Sequence, residues 1–161
     1  MTSPGLITRA ATPADAEALL GLMRQLAQFE GYAEHFAVTE RDLIERGLAA
    51  TTAPEFVAMV AELPPGRLCG YAVVHDVRFT YDLRPTVILK ELFVASTDRR
   101  GGAGSALMIA VLAHARRAGA GRLCWDVLPD NTHAKAFYRR FGGAPVTTWE
   151  RWILPLETEA R

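Results

Sequence analysis

The sequence predicts a mixed-sheet α/β (α+β) domain, and three observations carry that reading. Apolar spacing switches along the chain between the threes and fours of helices and the β-rich runs of strands. A turn at Pro64-Pro65-Gly66 between two β-rich runs makes an antiparallel hairpin. A single strand–helix–strand crossover in the second half makes strands 4 and 5 parallel neighbours. At 161 residues, with no repeat, low-complexity tract or linker, the chain reads as one domain, 1–161.

Leu6–Arg9 is a short first strand. Thr12-Pro13-Ala14-Asp15 opens a helix with a Thr N-cap, Pro at N1 and an acid at N3. Ala16, Leu19, Leu20, Met23, Leu26 and Ala27 form its apolar face, and Gly31 stops it. Thr39-Glu40-Arg41-Asp42 opens a shorter second helix with Leu43, Ile44 and Leu48 inward. Glu55–Ala61 and Leu68–Val74 are the hairpin strands, and Thr86–Val94 is a long fourth strand. A helix runs from about Gly102 to Ala118 with Gly119 just beyond it. Arg122–Leu128 is the next strand, Asn131–Phe141 the last helix and Val146–Leu154 the final strand. The predicted order is β-α-α-β-β-β-α-β-α-β.

Composition narrows the function classes. Apolar residues make up 50% and charged residues 22%, and 18 basic side chains cancel 18 acidic ones. A neutral chain offers no electrostatic case for a nucleic-acid or membrane partner. Cys69 and Cys124 are too few for a disulfide framework or a CxxC metal site, which fits a reducing compartment. Both fall in predicted strands and read as small buried hydrophobes. No apolar run approaches the roughly 20 residues of a membrane span, and the first ten residues lack a basic start and an apolar h-region. His35, His75, His114 and His133 have no metal-ligand spacing, so no metal is expected.

The informative stretch joins strand 4 to a helix: Arg99-Arg100-Gly101-Gly102-Ala103-Gly104-Ser105. Glycines let successive backbone N–H groups turn inward, and the helix N-terminus adds unpaired donors and partial positive charge. That is a cradle for a phosphate or pyrophosphate, with Ser105 as a further donor and two arginines at its mouth. A P-loop would need Lys after the glycines, and none follows. A dinucleotide fingerprint finds Gly102, Gly104 and an acid, Asp126, 22 residues after Gly104. It lacks its third glycine, where Leu107 stands, and one crossover is too little chain for a doubly wound fold. The remaining pattern is [RQ]xxGx[GA], over Arg99–Gly104.

At this loop the sequence resembles the GNAT superfamily of acyl-CoA-dependent N-acetyltransferases. Asn131-Thr132-His133-Ala134-Lys135-Ala136-Phe137-Tyr138-Arg139-Arg140-Phe141-Gly142 is similar to the second signature of that family. Residues 131, 134 and 138 share one helical face, an amide, a methyl and a phenol. Asn131 also reads as an N-cap, and Phe137 with Phe141 as an apolar stripe. Leu26–Glu30, Thr39–Leu43, Phe79–Asp82 and Leu89–Val94 resemble the diamine (spermidine/spermine) and thialysine acetyltransferase branch.

The resemblance implies a mostly antiparallel sheet of six to seven strands, strands 4 and 5 parallel and central, with about four flanking helices. It implies acetyl-CoA (coenzyme A) as co-substrate, held by Leu92, Phe93 and Val94, by Arg99, Arg100, Gly101, Gly102, Ala103, Gly104 and Ser105, and by Asn131, Ala134, Phe137 and Tyr138. Tyr138 is expected to protonate the departing sulfur, and Glu91 is the candidate base. Glu30, Tyr81 and Asp82 are candidates for binding a small primary amine. A cytoplasmic homodimer is expected. The branch has a glutamate where this chain has Lys90, and successive strand residues face opposite ways, so Glu91 substitutes only if a bulge re-aims it. An acetyltransferase for an amino acid, antibiotic or peptide N-terminus, and a non-catalytic acyl-CoA-binding module, stay open alternatives.

Overall fold

The computed structural model describes residues 3–50 and 52–156, which fall into two units, Met1–Trp125 and Asp126–Arg161. The first unit holds a five-stranded sheet in the order β1-β2-β3-β4-β5. Its strands are Ile7–Ala10 (β1), Val57–Leu63 (β2), Arg67–Val77 (β3), Thr86–Val94 (β4) and Arg122–Cys124 (β5). Its helices are Ala16–Glu30 (α1), Glu40–Leu43 (α2, prolonged by a π turn over Ile44–Leu48) and Ala103–Arg117 (α3). The second unit holds Thr132–Arg139 (α4). Strands β1 to β4 pair antiparallel and β4 pairs β5 parallel, the mixed sheet predicted from the crossover.

Two features differ from expectation. Among the described residues five strands form, not six or seven, and the parallel β5 lies at the sheet edge. Residues 126–128 and 146–154 join no ladder. The Val146–Leu154 stretch has strand-like composition, but composition makes a strand only where a neighbour supplies hydrogen bonds, and the described residues of its own unit form no strand. Strand β5 stops at Cys124 because its ladder on β4 stops at Ile88. Edge position also explains why Cys124 is exposed, a correction to its reading as a buried hydrophobe, whereas Cys69 is fully buried and donates to the Ala61 carbonyl.

The helix starts follow local chemistry. Thr12 and Asp15 form a capping box at the 3₁₀ turn that leads into α1, and Thr39 and Asp42 form one at α2. Gly31 ends α1 at φ +81, a conformation glycine adopts without a Cβ clash. Leu19, Leu22, Met23 and Leu26 of α1 join Leu43, Ala58, Val60, Tyr71, Val73 and Phe93 in one core cluster. The opposite face receives α3. His114 of α3 lies 2.9 Å from Asp76 of β3, which places Asp76, and by alternation Val74 and Ala72, on the α3 side. A Cβ on Gly70 would sit 2.7 Å from the Phe93 carbonyl oxygen and 3.3 Å from Leu107 of α3, so glycine lets these elements close together.

The β3–β4 register contains the decisive irregularity. Val73 pairs with Glu91 but Val74 pairs with Leu89, so β4 spends one extra residue, Lys90. Paired residues share a face. Leu89 therefore points to the α3 side with Val74, and Glu91 to the α1 side with Val73. The bulge turns the chain over, and Lys90 is left exposed.

Asp15 anchors α1 to the sheet edge. Arg9 of β1 donates to both Asp15 oxygens at 2.7 and 2.8 Å and reaches Glu62 of β2 at 2.7 Å. The Arg9 hydrogen bonds hold the Asp15 carboxyl well below the usual carboxylate range. A third of the Arg9 side chain stays in water, which moderates the value of the pair. We expect Asp15→Asn to lower stability by about 2 kcal/mol in urea unfolding near neutral pH. A depressed acid stabilises above its unfolded value, 3.8, and that stabilisation fades as pH falls toward the folded value. The difference between the two proteins should therefore shrink steadily below about pH 4.

Candidate active site

Strand β4 has one free edge. Its pairing with β5 covers Thr86, Val87 and Ile88, and from Leu89 to Val94 that side carries no ladder. The backbone groups that this side of β4 leaves without a ladder can take an extended ligand as another strand would be taken. The ladder to β5 ends two residues before the bulge at Lys90, where a bulge bends its strand away from a regular neighbour.

Beyond Val94 the chain passes through a 3₁₀ turn, Ser96–Asp98, into the glycine loop. Arg100 at φ +69 and Gly102 at φ +86 both take left-handed backbone, which a β-carbon disfavours at Arg100. Gly101 is closely overlaid: a Cβ there would come 3.3 Å from the Asp98 carbonyl oxygen and 2.5 Å from the Ser3 hydroxyl. Gly102 is the N-cap residue of α3 and offers no capping side chain, so the amides of Ala103, Gly104 and Ser105 are orphan donors of a helix start. Asp98, the loop's acid, is matched by a two-pronged bond from Arg67 at 2.7 and 2.9 Å. Arg99 is held on both sides, donating to the Val94 carbonyl at 3.3 Å and stacking its guanidinium 5.3 Å from the Phe29 ring centre. The result is a net-positive run of backbone amides, chemically suited to a diphosphate.

On the α1 side of β4 sits a cluster of acidic and phenolic groups. Tyr71 of β3 donates its hydroxyl to Glu91 at 2.8 Å. Crowding that removes water, and then the Glu91 charge, raise Glu30 above its usual value, with Lys90 opposing. Glu30 remains exposed at the end of α1, so this is local crowding and not deep burial. Tyr32 is pushed up to about 12 by burial and by the Glu91 and Glu30 charges. Tyr71 is raised far more, chiefly by burial, so it remains a proton donor at any working pH. Glu91 forms no salt bridge among the described residues. Two carboxylates and two phenols thus surround a spot beside the free edge, with one lysine at the rim. That arrangement attracts an ammonium and gives its proton somewhere to go.

Of this cluster the sequence singled out Glu30 and Glu91 but not Tyr32 and Tyr71. Tyr81 and Asp82, the other substrate candidates, are not part of it. They lie in the loop before β4, and the strand from Thr86 to Glu91 spans about 15 Å. Asp82 is occupied by Arg122 at 2.7 Å and by Thr80 at 2.9 Å, and Arg122 also stacks over the exposed Tyr81 ring at 4.7 Å. Among the described residues no group of three or more His, Cys, Asp and Glu side chains is arranged to hold a metal, and no helix is long and apolar enough to cross a membrane.

In the second unit, Asn131 caps α4 by accepting from the Ala134 amide at 3.0 Å. Its carboxamide N–H groups are left for other partners. Phe137 meets Tyr138 edge-on and Phe141 at a tilt, each at 5.2 Å between ring centres. Both Phe137 and Tyr138 are half-buried. Lys135 reaches back to the Pro129 carbonyl and Arg151 pairs with Asp126, which ties the flanking segments to the helix.

Comparison with known proteins gives the family. The model of the acetyltransferase (GNAT) family matches residues 20–143. The chain belongs to that family and is an acetyl-transferring enzyme. It is 27% identical to the thialysine N-epsilon-acetyltransferase of Bos taurus, over 91% of this chain and 89% of that protein. Among solved structures, a probable acetyltransferase superposes with a TM-score of 0.80 at 24% identity, covering 95% of this chain and 99% of the other. An aminoglycoside acetyltransferase from an uncultured soil metagenomic sample, in complex with sisomicin, gives 0.77 at 16% identity, covering 94% and 97%. These last two likenesses bear on the fold alone.

The acidic cluster has a direct readout. In Glu91→Gln the Tyr32 phenol loses a neighbouring negative charge, so its titration should move down from about 12 toward 10, followed by NMR of ring-labelled tyrosine. An unmoved Tyr32 signal would mean that the two groups do not face each other in solution.

Proposed function

We propose that residues 1–161 act as one catalytic domain that transfers acetyl from acetyl-CoA to a primary amine of a small molecule: a diamine, a polyamine or a lysine-like amino acid. The observation that carries this reading is the Glu30–Glu91 pair beside the unpaired edge of β4. The free edge suits the pantetheine arm, which pairs with the backbone of Leu92, Phe93 and Val94. The amides from Gly101 to Ser105 take the diphosphate, with Arg99 and Arg100 adding charge; the family resemblance adds Asn131, Ala134 and Phe137 to the coenzyme-binding residues.

Transfer is direct, in a ternary complex. An alkylammonium holds its proton up to about pH 10.4, by analogy with lysine, so it must lose one before it attacks. Glu91 accepts that proton, directly or through water. The amine nitrogen bonds to the thioester carbon as the carbon–sulfur bond breaks, that nitrogen sheds its surplus proton to solvent, and Tyr138 gives the leaving thiolate its proton. A phenol is a donor at neutral pH without any shift, which suits it to this step. The resulting phenolate regains a proton from solvent.

The charge around Glu91 favours one end of the substrate range. Lys90 offsets one of the two carboxylates, so the cluster matches a single ammonium better than a chain of them. A lysine-like amino acid or short amine fits this balance, in keeping with the thialysine-specific name of the curated relative. A cytoplasmic homodimer is part of the same proposal, on the resemblance to that branch.

Release of free thiol from acetyl-CoA, followed across thialysine, putrescine, spermidine and an aminoglycoside, tests the reading. Thialysine and putrescine should stimulate release most. Binding of acetyl-CoA without stimulation by any amine would favour a non-catalytic module. Tyr138→Phe should lower kcat by roughly 10²–10⁴, the usual value of a positioned acid. Lys90→Glu should raise kcat/KM for spermidine relative to thialysine.

A further inference from the structure

Tyr71 carries a hydroxyl that folding alone does not explain. Its side chain is fully buried, in a strand whose neighbours Leu68, Cys69, Ala72, Val73 and Val74 are apolar. A phenylalanine would fill the same space, and a buried hydroxyl is costly unless it is bonded. Its one hydrogen bond goes to Oε2 of Glu91, at 2.8 Å. The ring is fixed by Phe93, 6.2 Å away, and by the α1 core, so the oxygen sits at one place. Register makes the contact possible. Val73 opposes Glu91 and Tyr71 opposes Phe93, so Glu91 reaches the phenol along the diagonal of one face. If β4 ran regularly through Lys90 with no bulge, Glu91 would share the α3 side with Leu89 and the bond would be lost.

We propose that Tyr71 is the positioning residue for Glu91. The bond ties Oε2, fixes the rotamer and leaves Oε1 as the oxygen an incoming amine meets. This rests on the reading of Glu91 as the base. Glu30 and Tyr32, from α1 and the turn after it, face the same carboxylate and supply the second acidic wall, and Lys90 stands at the rim. An unfixed glutamate would sample several rotamers, of which one faces the amine, so the hydroxyl acts on the chemical step and not on coenzyme capture.

A double-mutant cycle tests this, with the best acceptor from the amine panel and acetyl-CoA. Tyr71→Phe should lower kcat about tenfold while the KM for acetyl-CoA stays within about twofold. In a Glu91→Gln background the same substitution should change kcat by less than about twofold, because the group it positions is gone. Val73→Ala, which loosens the same core but keeps the bond, should lower the unfolding midpoint without the kcat loss. The inference is overturned if Tyr71→Phe costs the same in both backgrounds, or if Val73→Ala lowers kcat as much at equal loss of stability. If Glu91→Gln is inactive and Tyr71→Phe is not, this inference alone fails. If Glu91→Gln keeps full kcat, or no amine turns over, the underlying reading fails first and takes this inference with it.

Discussion

One extra residue in β4 governs the architecture around the site. A strand that takes Lys90 as a bulge breaks its alternation there and bends, and each part of that has a separate effect. The broken alternation delivers Glu91 to the α1 side, where Glu30, Tyr32 and Tyr71 wait. Bending ends the parallel ladder at Ile88 and leaves the last six residues of β4 with a bare edge. A regular strand here would give a continuous sheet with Glu91 against α3 and no gap for a ligand to enter. The acidic cluster and the free edge are therefore two results of one local insertion.

Electrostatics around the site follow from that geometry. The glycine loop is kept net positive because Arg67 cancels Asp98, while the far side of the bulge gathers carboxylates with only Lys90 to oppose them. Opposite potentials lie at the two ends of a short stretch of one strand. An anion and a cation would thereby be drawn to different places along the C-terminal half of β4 and beyond it.

The elements legible in the sequence were those set by local rules. Thr12-Pro13-Ala14-Asp15 and Thr39–Asp42 announced helix starts, and Gly31 and Gly119 announced helix stops, because caps are chosen within a few residues. The glycine loop and the Asn131–Gly142 signature were legible for the same reason, and they gave the family. What stayed hidden depended on neighbours. A bulge exists only relative to a partner strand, so Lys90-Glu91 could be posed as a question but not answered. Tyr71 sits in a strand buried on both faces, where alternation vanishes and no pattern reveals which way a side chain points. The contacts of Tyr81 and Asp82 with Arg122, 40 residues on from Asp82, were likewise invisible in the sequence, because they depend on the β4–β5 pairing. The strand expected at 146–154 shows the same limit from the other side, since β-rich composition does not supply a partner.

The double tether of Arg99 has an energetic corollary. A free arginine on a surface samples many rotamers, and a ligand that recruits it must freeze them, at a cost of about 1 kcal/mol or more. Stacked on Phe29 and bonded to Val94, this guanidinium has surrendered that freedom during folding. Its charge is a fixed part of the loop's field and not a flexible arm. Ligand affinity at the mouth of the loop should accordingly show a smaller entropic penalty than two neighbouring arginines would suggest, with Arg100 as the remaining adjustable member of the pair.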